Sequence, residues 1–169
     1  MIRKPVAAAA IRLLVLDVDG VLTDGRLYFG ARGEALKAFD ARDGFGVRQL
    51  MAAGVAVAVI TGRRSAAVSA RCRELGIARV MQGASDKLAA FERLRERAQV
   101  AARDCACVGD DVPDVPLFGV VGLAFAVADA HPLARRAAHH VTQLPGGRGA
   151  VREVCDRLLA AKSRPGGAR

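Results

Sequence analysis

Short apolar runs punctuate the chain, and each ends at a small or acidic residue. Ile11–Leu16 runs into Asp17, Val55–Ile60 into Thr61 and Gly62, and Cys105–Val108 into Gly109, Asp110 and Asp111. Runs this short, rich in β-branched residues and without polar alternation, predict strands buried on both faces. Weaker strand candidates are Arg79–Met81, Gly122–Val127 and His140–Thr142. Helical periodicity occupies the intervals, over Gly46–Ala53, Ser65–Leu75, Asp86–Ala98, Asp114–Val120, Pro132–Ala138 and Ala150–Ala161. Strands alternating with helices predict an α/β domain whose mostly parallel sheet is joined by crossover helices.

One stretch breaks the alternation. Between Gly25 and Phe39, two short apolar segments flank Gly30 and Gly33, which predicts an inserted β-hairpin with a glycine in its turn. No repeat divides the chain, so a single domain is expected over residues 1–169, with its core in 10–160 and a mobile tail, rich in Gly, Pro and Arg, over 162–169.

Composition narrows the possible activities. The 169 residues are 52% hydrophobic, enough to bury a core, but only 4% aromatic, which leaves few platforms for stacking bases. Lys and Arg number 26 against 17 Asp and Glu, a net charge of +9 that favours an anionic partner. The basic residues are scattered through helical segments without a nucleic-acid-binding motif, so a small phosphorylated or carboxylated partner fits better than nucleic acid. Cys72, Cys105, Cys107 and Cys155 lack CxxC spacing and follow no secretory signal, as expected of reduced thiols in the cytoplasm. The apolar runs fall far short of the roughly 20 residues that cross a bilayer.

The acidic residues then supply the chemistry. In an open α/β sheet, ligands bind at the carboxyl ends of the strands, where Asp17, Asp19, Asp110, Asp111 and Asp114 are expected. A single such Asp reads as a helix cap, and a single Asp-Gly as a turn. Five together carry mutual repulsion that a bound cation relieves, and an oxygen-only ligand set favours Mg²⁺. The two carboxylates at Asp17 and Asp19, two residues apart, leave the strand on the same side.

The ordered set Asp17-Val-Asp-Gly-Val-Leu-Thr-Asp24, Ile60-Thr-Gly-Arg63, Lys87 and Gly109-Asp-Asp-Val-Pro-Asp114 resembles the haloacid dehalogenase superfamily of phosphohydrolases. The resemblance implies a doubly wound, Rossmann-like sheet and an aspartyl-phosphate mechanism. Asp17 would be the nucleophile, and Asp19 the acid that protonates the leaving oxygen and then activates water. Mg²⁺ would be held by the Asp17 carboxylate, the Asp19 carbonyl and the Asp110 carboxylate, with Asp111 and Asp114 behind them. Thr61 and Lys87 would grip the phosphoryl oxygens.

Members of that superfamily usually carry a cap domain inserted after the first or second element. Here the gaps Asp24–Val55 and Arg63–Asp86 are both too short for the roughly 50 residues of an independent domain, so no cap is expected. A capless site is open to water unless the substrate is large or another subunit covers it. Leu27, Tyr28, Phe29, Leu36 and Phe39 make the hairpin a candidate surface for subunit association.

Within the superfamily the chain resembles the 3-deoxy-D-manno-octulosonate 8-phosphate (KDO 8-phosphate) phosphatases. The match runs through Asp24–Gly30, Gly33–Phe39, Arg42–Gly44, Gln82-Gly83, Val127–Pro132 and Gly146–Glu153, over essentially residues 10–160. It implies a homotetramer built on the hairpins, acting on a small sugar-acid phosphate in lipopolysaccharide biosynthesis. Arg42, Asp43 and Gly44 would line the sugar-acid pocket, Gly62, Arg63 and Arg71 would lie near the anionic groups, and Arg148 would reach a neighbour's site. Arginine forks suit a ligand with both a carboxylate and a phosphate. Three other readings stay open at this point: a phosphatase for N-acylneuraminate or KDN 9-phosphate, a phosphatase acting on a protein or nucleic-acid end, and a catalytically silent scaffold or nucleic-acid-binding tetramer.

Overall fold

A computed structural model describes residues 4–163. Among these, six strands form one parallel sheet: β1 (Leu13–Leu16), β4 (Ala56–Thr61), β5 (Arg79–Gln82), β6 (Cys105–Gly109), β7 (Leu123–Ala126) and β8 (His140–Val141). Their order across the sheet is β5-β4-β1-β6-β7-β8. All four residues of β1 and all five of β6 are buried, as their unbroken apolar sequence predicts. The chain builds outward from β1 through β4 to β5, then returns to add β6, β7 and β8 on the other side. That reversal makes a doubly wound sheet, and it opens a crevice at the carboxyl ends of β1 and β6.

The helices are α1 (Ala41–Ala52), α2 (Ala66–Leu75), α3 (Lys87–Arg97), α4 (Val115–Phe118), α5 (Pro132–Ala137) and α6 (Ala150–Lys162). Ser65 and Asp86 are the N-caps of α2 and α3, accepting from the amides of Val68 and Ala89. Phe91, Phe118 and Phe125 are fully buried with Leu and Val side chains from every strand of the sheet's centre. Each large apolar side chain so buried contributes about 1.5–3 kcal/mol.

Two boundaries differ from expectation. Helix α1 begins five residues earlier than Gly46, so Arg42, Asp43 and Gly44 lie in its first turn and not in a loop. Asp40 caps it, accepting from the Arg42 amide at 2.7 Å. Glycines 44 and 46 weaken the helical signal in the sequence, and both lie against neighbouring side chains: a Cβ on Gly44 would stand 2.3 Å from the Arg71 guanidinium, and one on Gly46 2.9 Å from Arg152 Cδ. The segment expected as one helix from Asp114 is a 3-10 turn, Val112–Asp114, followed by α4.

The hairpin forms a separate two-stranded antiparallel sheet of β2 (Tyr28–Gly30) and β3 (Gly33–Leu36), shorter than the 25–39 stretch and with a bulge between Tyr28 and Phe29. Leu27, Tyr28, Phe29 and Leu36 are exposed, Phe29 by 62%. No cap domain is inserted: the first interval holds the hairpin and α1, the second α2 and β5. Most of the 162–169 tail lies outside the described residues.

Candidate active site

The loop after β1 carries Asp17 and Asp19, the end of β4 carries Thr61, Gly62 and Arg63, the start of α3 carries Lys87, and the loop after β6 carries Asp110 and Asp111. All of them line one cavity of about 850 Å³ at the carboxyl edge of the sheet. Backbone geometry makes this convergence possible. Gly20 has φ +86°, and a Cβ there would lie 2.1 Å from Asp110 Oδ2, so only glycine lets the β1 loop close over the β6 loop. The Gly146–Gly149 loop supports the same turn from outside: the Gly147 amide donates to the Val21 carbonyl at 2.8 Å, and a Cβ on Gly147, at φ +64°, would meet Thr23 C at 2.3 Å.

Lys87 is the cation of the cavity floor. Its ammonium stands 2.9 Å from Asp17 Oδ2 and 2.6 Å from Asp114 Oδ1. The other oxygen of Asp114 accepts from the amides of Asp110 and Asp111 at 3.1 and 3.3 Å, which ties the β6 loop into a tight turn. Asp111 faces solvent and caps the 3-10 turn through the Val112 amide at 2.7 Å. Thr61 Oγ1 is buried at the end of β4 and accepts from the Arg63 amide at 3.4 Å.

Burial and mutual repulsion act on the carboxyls of the site. Burial, reinforced by Asp114, pushes Asp17 up to about 6 in spite of Lys87. Burial together with Asp17 and Asp114 pushes Asp110 up to about 8. Burial opposes the charge on Lys87, but Asp17 and Asp114 outweigh it and hold the ammonium above its ordinary value. Asp17, Asp110 and Asp114 each offer a carboxylate oxygen, all within 4.8 Å of one another. A divalent cation fits that donor set, since it removes the repulsion that raises the two carboxyls. Both oxygens of Asp114 are already engaged, whereas Asp17 contacts Lys87 through Oδ2, so Asp17 and Asp110 are the better placed of the three to hold it.

Other residues singled out by the sequence lie elsewhere in the chain. Asp43 is buried against the start of α6, where its Oδ1 accepts from the Arg152 amide at 2.8 Å. Arg71 spans α2 and α1, 2.9 Å from Glu74 and donating to the Asp40 carbonyl at 3.3 Å, next to Gly44. Arg42 pairs with Asp40 at 2.6 Å and donates to the Arg148 carbonyl at 3.1 Å. Arg148 points its guanidinium toward Asp24, 3.9 Å away. None of these five residues lines the cavity of its own chain. For Arg42, Asp43 and Gly44 the reason is local: an N-cap at Asp40 winds them into α1 and turns Asp43 toward α6.

Lys37 is a residue that the sequence did not single out. It follows β3, its side chain is 1% exposed, and its ammonium contacts Asp19 Oδ1 while standing 3.2 Å from Glu34 Oε2. A charged residue just beyond a hairpin strand reads as solvated, and no periodicity in the sequence brings it back to the β1 loop.

A doubly wound sheet with this carboxylate arrangement at its switch point defines a haloacid dehalogenase-like hydrolase, and the haloacid dehalogenase-like hydrolase family matches residues 73–151. The chain is 54% identical over 157 residues to the 3-deoxy-D-manno-octulosonate 8-phosphate phosphatase of Escherichia coli, covering 93% of this chain and 84% of that protein. The crystal structure of the same phosphatase from Yersinia pestis is 51% identical and superposes with a TM-score of 0.91, covering 95% of this chain and 87% of that one. The Moraxella catarrhalis phosphatase, crystallised with magnesium, phosphate and KDO, is 39% identical with a TM-score of 0.90, covering 92% and 90%. The chain belongs to the 3-deoxy-D-manno-octulosonate 8-phosphate phosphatase family and is a phosphoric monoester hydrolase.

Proposed function

We propose that this enzyme hydrolyses KDO 8-phosphate to KDO and phosphate, with Mg²⁺, in lipopolysaccharide precursor synthesis in the cytoplasm. The observation that carries the reading is the meeting of Asp17, Asp19, Thr61, Lys87 and Asp110 in one cavity of a chain 54% identical to a phosphatase of that specificity. That the four cysteines are free is consistent with a reducing compartment.

The Asp17 carboxylate attacks phosphorus, and an Asp17–phosphoryl bond replaces the bond to the sugar oxygen. Asp19 gives its proton to that departing oxygen, which takes the bonding pair. As a carboxylate, Asp19 then takes a proton from the water that cleaves the aspartyl phosphate, releasing phosphate and restoring Asp17. Thr61 and Lys87 hold the phosphoryl oxygens, and Lys87 steadies Asp17 through its 2.9 Å contact. Mg²⁺, held by the Asp17 and Asp110 carboxylates and the Asp19 carbonyl with Asp111 and Asp114 behind, would screen the charge between the anionic nucleophile and the anionic substrate. Arg63, 41% exposed and 3.9 Å from Asp19, stands at the cavity mouth with a free face for the sugar's carboxylate.

The remaining substrate contacts come from assembly. A two-stranded hairpin that exposes Leu27, Tyr28, Phe29 and Leu36 is poorly stable alone, and a homotetramer joined at the hairpins covers those side chains. Arg42, Arg71 and Arg148 then act on substrate only where their surface meets a neighbouring copy's cavity, while the buried Asp43 and Gly44 shape that surface from behind.

Phosphate release from KDO 8-phosphate, N-acylneuraminate 9-phosphate and an aryl phosphate, each with Mg²⁺ and with EDTA, tests the reading. A metal-dependent kcat/KM highest for KDO 8-phosphate is expected. Preference for the nine-carbon acid, or activity confined to the aryl phosphate, overturns the substrate assignment.

A further inference from the structure

The buried Lys37 is not explained by binding or chemistry at the cavity surface. It does not line the cavity, and its side chain is enclosed. Taking an ammonium out of water is costly unless carboxylates surround it, and here two do: Asp19 from the β1 loop and Glu34 from β3. Glu34 is in turn fixed to the body of the protein by the Ser65 hydroxyl at the start of α2. That contact, followed by Lys37, holds the Glu34 carboxyl below its ordinary value and keeps it an anion. The Ser65 amide itself donates to Gln82 Oε1 at 2.7 Å, so the chain of contacts ends in the central sheet at β5. The result is a continuous strut of contacts from the sheet edge through the start of α2 and the hairpin to one carboxylate oxygen.

The strut divides the two oxygens of Asp19. Oδ1 is occupied by Lys37, whereas Oδ2 has only Arg63 at 3.9 Å and belongs to a side chain on the cavity wall. A carboxyl free to rotate exchanges its two oxygens; one pinned by a buried cation presents the same oxygen at every turnover.

We infer that Lys37 is a positioning residue that locks the Asp19 carboxyl so that Oδ2 alone faces the ester oxygen of the substrate. The inference rests on the reading of Asp19 as the proton donor. In the step concerned, the proton passes from Asp19 Oδ2 to the ester oxygen as that oxygen takes the electron pair of its bond to phosphorus and Asp17 bonds to phosphorus. A misplaced donor slows that step only when the leaving oxygen needs the proton. An alkoxide does; a nitrophenolate does not.

The test compares kcat/KM on an alkyl phosphate, KDO 8-phosphate, with that on 4-nitrophenyl phosphate, because kcat/KM reports the steps up to departure of the leaving group. For Lys37→Met the loss on the alkyl ester is expected to be on the order of 10²-fold, and at least about tenfold greater than the loss on the aryl ester. Lys37→Arg, which keeps a cation on Asp19, restores most of the difference. Lys37→Gln carries the same comparison if the Met variant does not fold. Equal losses on the two esters make Lys37 a support of the hairpin alone and overturn the inference. Asp19→Asn provides the reference: if it shows no dependence on the leaving group, the reading of Asp19 itself fails; if it does and Lys37→Met does not, only the role of Lys37 fails.

Discussion

Lys87 places its ammonium 2.9 Å from Asp17 Oδ2 and so binds the start of α3 to the end of β1. With Asp114 at 2.6 Å on its other side, it is the countercharge of an otherwise anionic cavity floor. Lys87→Met removes that charge and leaves Asp17 and Asp114 facing each other. Breaking a buried pair in this way costs about 3–5 kcal/mol. Thermal unfolding is expected to show that loss at pH 8, with Mg²⁺ recovering a large part of it. Turnover is expected to stay at least about 10²-fold down, since the phosphoryl oxygens lose their cation. Recovery of both stability and turnover with Mg²⁺ would show that Lys87 serves only charge balance.

The raised carboxyls set a pH dependence with a definite sign. Asp17 at about 6 and Asp110 at about 8 both stand above the ordinary 3.8. In the metal-free protein, their share of the stability is full below about 4 and is lost as pH rises through 6 and then 8. Metal binding demands the ionised forms and so strengthens over the same window. Unfolding temperatures from pH 5 to 9 should fall with pH in EDTA, and the rise produced by Mg²⁺ should grow with pH. An Mg²⁺ effect that does not change across this range would contradict the assignment of these carboxylates as ligands.

Asp43, outside the cavity, has a similar shift with the same main cause. Burial against α6 pushes it up to about 6, only partly offset by the Arg152 amide. Ionising it costs stability as pH rises from about 4 through 6. Asp43→Asn keeps an oxygen for that amide and cannot ionise, so at pH 8 it should be more stable than the parent by about 1–3 kcal/mol, with no gain at pH 4. Urea unfolding at the two pH values measures this. A less stable variant at pH 8 would mean that the negative charge favours the α6 N-terminus more than burial penalises it.

The sheet was legible because its central strands are unbroken apolar runs, with no polar face to confuse their period. The convergence on one cavity was legible from the strand ends: Asp17, Asp19, Thr61 and Asp110 each stand within three residues of the end of such a run. The start of α1 was not, because Gly44 and Gly46, which lie against Arg71 and Arg152, mask the helix. The contact of Asp43 with the start of α6 was not legible either, because nothing in the Arg42-Asp-Gly44 context points to the Arg152 amide 109 residues away. Lys37 was hidden for a third reason. Its partner Asp19 is 18 residues away, and the hairpin between them has to form before the contact exists.

The most direct measurement is an acid-quenched single turnover of KDO 8-phosphate with excess enzyme and Mg²⁺, followed by mass analysis of the peptide containing Asp17. A phosphoryl group on Asp17 that appears and decays at the rate of turnover, accumulates in Asp19→Asn and is absent from Asp17→Asn is the expected result. Phosphate release without any phosphoryl group on Asp17, or turnover that survives Asp17→Asn, would contradict the mechanism.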